Sequence, residues 1–84
     1  MCTNGINTDQ FSSTLEQVGE AVALCRRWTH RAFHQVEDAN MLKTAAKLRD
    51  AQALLDDVRA LLEEAAESLQ QEAALAEDVS VQLV

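Results

Sequence analysis

A chain of 84 residues carrying 14 acidic residues against 7 Lys and Arg, and no proline, can form one small domain at most, and leaves much of its apolar surface uncovered unless a partner or a second copy meets it. Two cysteines and three aromatic residues (Phe11, Trp28 and Phe33), set among abundant Ala, Leu, Glu and Gln, exclude a disulfide-built scaffold and favour long helices. No stretch approaches the roughly 20 apolar residues of a membrane span, and no N-terminal run joins positive charge to an apolar core, so the expectation is a cytoplasmic protein with free thiols.

Residues 1–6 read as a flexible lead. Asn7 is placed to cap a helix, because Gln10 follows three residues later and Ile6 and Phe11 are spaced to clasp across the first turn. Ser13 with Glu16 offers a second capping box. From there Phe11, Leu15, Val18, Val22, Cys25, Ala32 and Val36 recur at helical spacing and predict one apolar face over residues 7–36. Gly19 either weakens this helix by about 1 kcal/mol relative to Ala or marks a close contact with another helix.

Residues 36–40 are the expected turn, with Asp38 or Asn40 available to cap a new helix. Because neither Gly nor Pro stands there, one unbroken helix is the alternative. The second helix is expected over residues 39–77, where Leu48, Leu55, Leu62 and Leu69 recur every seven residues and Ala51, Val58 and Ala65 each follow a leucine by three. Leu54, Leu61 and Leu75 widen the stripe to roughly 120°, more than one partner helix covers.

The expected fold is therefore all-α: an antiparallel helical hairpin that dimerises into a four-helix bundle through Leu48, Leu54, Leu55, Val58, Leu61, Leu62 and Leu69. Residues 78–84 are expected to fray, the apolar end at Val84 being alternatively a docking peptide.

Charge is ordered along the chain. Arg26, Arg27 and Arg31 balance Asp9, Glu16 and Glu20, Lys43, Lys47 and Arg49 lie in the middle, and after Arg59 there is no Lys or Arg. This layout disfavours direct nucleic-acid binding and permits head-to-tail contacts or contacts with a basic partner. His30 and His34 stand one helical turn apart, as two ligands of one ion would, but Cys25 falls about 140° away round the helix, so no metal site is expected. With no glycine loop and no nucleophile, base and orienting acid in motif spacing, neither catalysis nor a cofactor is expected.

Trp28 is the residue that points most directly to a function. It shares a helix side with Leu24 and Arg31 and adjoins Arg27, and Trp and Arg carry most of the energy in protein interfaces. Its alternative role is to cover the end of the hydrophobic core. The leading expectation is a non-enzymatic protein–protein interaction module, a small helical adaptor, co-chaperone or regulator that binds a protein through Leu24, Arg27, Trp28 and Arg31. In shape and composition the chain resembles the small helical hairpins that serve as secretion co-chaperones or as phage- or plasmid-encoded inhibitors. The first alternative is such an inhibitor, with Glu63, Glu64, Glu67, Glu72, Glu77 and Asp78 imitating nucleic-acid charge in a basic groove. The second is a structural oligomer with no other partner.

Overall fold

The computed structural model describes residues 7–83, with side chains as far as Leu75. Two helices fold back on each other, α1 over Thr8–Asp38 and α2 over Leu42–Leu83. Asn7 caps α1 as its spacing to Gln10 indicates: its side-chain oxygen accepts the Gln10 N–H at 3.0 Å, which satisfies one of the helix's unpaired donors. Ser13 lies inside the helix, so the second capping box is unused. Ile6 and the rest of the expected lead, residues 1–6, fall outside the described residues.

The turn is sharper than the expected five residues, and Asn40 closes it in a role other than the one its sequence position suggests. Asn40 is left-handed, with φ 63°. Its N–H donates to the Glu37 carbonyl at 2.9 Å and the next N–H, from Met41, donates to the Val36 carbonyl at 2.9 Å. This pair of reaching-back bonds is the Schellman arrangement, which satisfies the last carbonyls of a helix and needs a residue tolerant of positive φ. Asn40 therefore ends α1, and neither it nor Asp38 caps α2. The carbonyl of Met41 accepts the first α2 bond, from Ala45 at 2.9 Å. Asn40→Gly should keep or slightly raise the unfolding midpoint in urea, whereas Asn40→Ala should lower stability by about 1 kcal/mol, the cost of a left-handed Cβ.

Three polar links set the register of the hairpin. Gln70 donates to the Ser12 hydroxyl at 3.0 Å, Arg26 bonds both carboxylate oxygens of Asp56 at 3.1 and 3.4 Å, and His30 Nδ1 lies 3.0 Å from Gln52 Oε1. In each pair the two residue numbers add to 82, the signature of one unslipped antiparallel register. The helices overlap as far as about residue 75 of α2, beyond which α2 passes the start of α1. Because residues 78–83 contain neither Gly nor Pro, α2 runs on to Leu83 rather than stopping near residue 77 as expected.

The seam between the helices differs in part from the apolar face expected of α1. Leu15, Val22, Phe33 and Val36 turn toward α2 together with Ser12, Arg26 and Thr29, while Phe11, Val18 and Cys25 stay exposed. On α2 the leucine series Leu48, Leu55, Leu62 and Leu69 is partly buried. Its buried companions are Ala45 and Gln52, three before Leu48 and Leu55, whereas farther from the turn Arg59 and Ala66 are exposed, and of the set three after, Ala51 is half-buried while Val58 and Ala65 are exposed. Phe33 and Ala45 are the buried hydrophobic residues among those described, and no side chain is completely enclosed. The result is a rod, 67 × 16 × 13 Å, with a thin interior.

Gly19 sits on this seam without making a close approach, since a Cβ there would meet no atom within 4 Å. It borders an open groove of about 460 Å³ floored by Leu15, Ala23, Leu62 and Ala66. Gly19→Ala should therefore raise stability by about 1 kcal/mol in urea unfolding, because it removes backbone entropy from the unfolded chain with no steric cost.

Candidate functional site

The backbone register divides the surface of the rod into distinct faces. With heptad spacing on both helices, Glu16, Ala23, His30, Asp56, Glu63 and Gln70 fall on one side of the seam. The cross-helix bonds from Asp56 and Gln70 confirm that both helices present these positions together. The opposite side carries Phe11, Val18 and Cys25 of α1 beside Ala51, Val58 and Ala65 of α2. Leu54, Leu61 and Leu75 lie at its edge. This face is apolar and open: Leu54 is 65% exposed, Leu61 63% and Val18 41%.

The residues expected to mediate dimerisation thus split into two groups. Leu48, Leu55, Leu62 and Leu69 are occupied by α1 within the hairpin, and Leu54, Val58 and Leu61 remain uncovered. The sequence reading missed the α1 contribution of Phe11 and Val18 to this second surface. Phe11, Val18 and Cys25 form one heptad series and Leu15 and Val22 another, and it is the second that points into the seam.

The four residues singled out around Trp28 do come together. Leu24, Arg27, Trp28 and Arg31 line one small hollow of about 130 Å³ on the outer side of α1. Trp28 is 58% exposed, so within the single chain it does not serve as a lid on the core. The Arg31 guanidinium lies over the indole, 4.7 Å from the ring centroid, within the range of a cation–π contact worth roughly 0.5–1 kcal/mol at an exposed site. Arg26 faces the other way and is held by Asp56, which leaves Arg27 and Arg31 as the cations beside the indole.

Acidic side chains Glu63, Glu64, Glu67 and Glu72 are all exposed on α2, while those of Glu77 and Asp78 lie outside the described side chains. The fold adds Asp9, Glu16 and Glu20 to the same end of the rod, because the start of α1 lies beside residues 62–73 of α2.

His30 and His34 meet as their spacing suggests, with Nε2 atoms 3.0 Å apart and ring centroids at 4.4 Å. Gln52 Oε1 can only accept, so it takes its hydrogen from His30 Nδ1, and a single hydrogen bridges the two Nε2 atoms. Glu37 lies 3.7 Å from the remaining His34 nitrogen. Cys25 belongs to the apolar face and not to this pair. Among the described residues no group of three or more His, Cys, Asp or Glu gathers at a point that suits a metal ion. The pair is accounted for as a linkage that ties α1 to the buried Gln52 of α2.

No known protein family matches the chain, and neither a curated protein nor a solved structure is significantly similar to it. No helix among the described residues is long and apolar enough to cross a membrane.

Proposed function

We propose that this protein is a non-enzymatic interaction module: a helical hairpin that pairs with a second copy through its apolar face and binds a protein partner through the hollow around Trp28. The observation that carries the partner site is the exposed indole of Trp28, with Leu24 beside it and Arg31 stacked over its ring. An uncovered tryptophan flanked by arginines offers a large apolar area at little cost in side-chain entropy, the composition of an interface hot spot.

Self-association is supported by the open apolar face, where Phe11, Val18, Leu54, Val58 and Leu61 are each at least 38% exposed. Covering it with a second hairpin yields a four-helix bundle, whose interior would take in Val18, Leu54, Val58 and Leu61.

The test of the partner site compares wild type with Trp28→Ala and Arg31→Ala as baits in extracts of the native host. A protein retained by wild type and lost from both variants, at equal bait helicity, supports the assignment. Equal capture by all three removes it.

The acidic end supports a second reading, that of an inhibitor occupying a basic groove in place of nucleic acid. Folding gathers acidic residues from both helices there, which a single acidic helix would not do. On this reading, binding to a basic target weakens steeply with added salt and is abolished by changing Glu63, Glu64 and Glu67 together to Lys. Affinity that stays flat from low to high salt excludes it.

A further inference from the structure

We infer that the second copy lies antiparallel to the first, with the turn end of each hairpin over the open end of the other. This rests on the reading of the apolar face as a self-association surface and specifies how that surface is used. The argument begins from charge. The half of the rod nearest the turn, residues 25–38 and 42–55, holds six Lys or Arg against three Asp or Glu, a net +3. The open half, residues 8–24 and 56–75, holds one Arg against nine Asp or Glu, a net −8. Helices packed face to face lie about 8–10 Å apart, comparable to the screening length of roughly 8 Å at physiological salt. Parallel pairing would lay the two −8 ends together and the two +3 ends together, with Glu16, Asp56 and Glu63 contributing least because they stand on the far side of each rod. Antiparallel pairing sets opposite signs together.

One pair of charges beside the apolar face favours the same arrangement locally. Val58 and Leu61 lie midway between Lys47 and Glu72 along α2. Lys47 repeats the heptad position of Leu54 and Leu61, and Glu72 repeats that of Val58 and Ala65. Both charges therefore flank the apolar face, one toward each end. A two-fold axis passing through the Val58–Leu61 level, perpendicular to the helices, carries Lys47 of one copy to the level of Glu72 of the other, and the reverse. The hairpins then overlap over nearly their full paired length, the exposed Val58 of each copy falls at the level of Leu61 of the other, and Leu54 falls at the level of Ala65. A two-fold axis along the rod would match Lys47 with Lys47 and Glu72 with Glu72.

Double electron–electron resonance on a nitroxide at Ala39→Cys, in a chain carrying Cys2→Ser and Cys25→Ser, reads the arrangement. The antiparallel dimer places the two turns about 55 Å apart, twice the distance from the turn to the axis at about 1.5 Å per residue. A distance under about 30 Å overturns the antiparallel order while leaving a dimer in place. A folded chain with no intermolecular distance at micromolar concentration removes the self-association reading itself. As a second readout, Lys47→Glu should weaken dimerisation about five- to tenfold, because the symmetry repeats the loss twice. Adding Glu72→Lys to it should restore most of the affinity. A double variant no tighter than Lys47→Glu alone overturns the pairing.

Discussion

Leu61→Asp and Leu55→Asp are expected to damage this protein in different ways, although both replace a leucine of the same helix by the same charge. Leu61 is 63% exposed on the open face of the hairpin, so an aspartate there stays solvated in the single chain and becomes a buried, unpaired charge only on pairing with a second copy. The cost of several kcal/mol therefore falls on association. Leu55 lies partly buried in the seam against α1, and an aspartate there falls on folding itself. Light scattering should report a loss of dimer for Leu61→Asp. Circular dichroism should show its helicity falling with dilution from a higher protein concentration than in wild type, as mass action requires when folding and association are coupled. Leu55→Asp should lose helicity at every concentration. If the two variants behave alike, the division between a seam occupied within the chain and a face open to a second copy is wrong.

Trp28→Ala carries the second large expected effect. Trp28 is 58% exposed and packs with Leu24 and Arg31 on the outer side of α1, away from the seam. Its truncation should change the thermal midpoint little, because no enclosed cavity is created. Partner binding should fall by about 2 kcal/mol or more, some 30-fold in affinity. Phe33→Ala is the control. Phe33 is 9% exposed, under the Arg49 guanidinium at 5.4 Å and edge-on to His34, and removing a buried phenyl ring costs about 3–5 kcal/mol of stability. A large fall in midpoint for Trp28→Ala would place the indole in a core shared between copies and leave the partner surface without its anchor.

The two helices and the place of the turn were legible from the sequence because period and punctuation agree. A seven-residue leucine repeat continues without Gly or Pro, and Asn7 stands ahead of Gln10 where a cap is needed. The role of Asn40 was less legible. A polar residue between two helices can cap the second or end the first, and only the sign of its φ separates the two. The inward face of α1 was drawn too broadly for a related reason. An apolar stripe that includes Phe11, Val18 and Cys25 shows that those residues avoid water, but not whether α2 or another molecule covers them. Seam positions held by Ser12, Arg26 and Gln52 give no hydrophobic signal at all, since they are satisfied by hydrogen bonds across the helices. By contrast, the Trp28 cluster was readable in full because helix spacing alone brings residues 24, 27, 28 and 31 to one patch.

Sedimentation equilibrium of the wild-type chain across concentrations from nanomolar to tens of micromolar tests the central proposal most directly. A rod whose buried hydrophobic residues are few and whose apolar face is open should sediment at micromolar concentration as a species of twice the 9.3 kDa chain mass, with helicity falling as dilution separates the copies. A fully helical species that keeps the mass of one chain over the whole range would contradict it, because the hairpin would then be stable with Val18, Leu54, Val58 and Leu61 left in water.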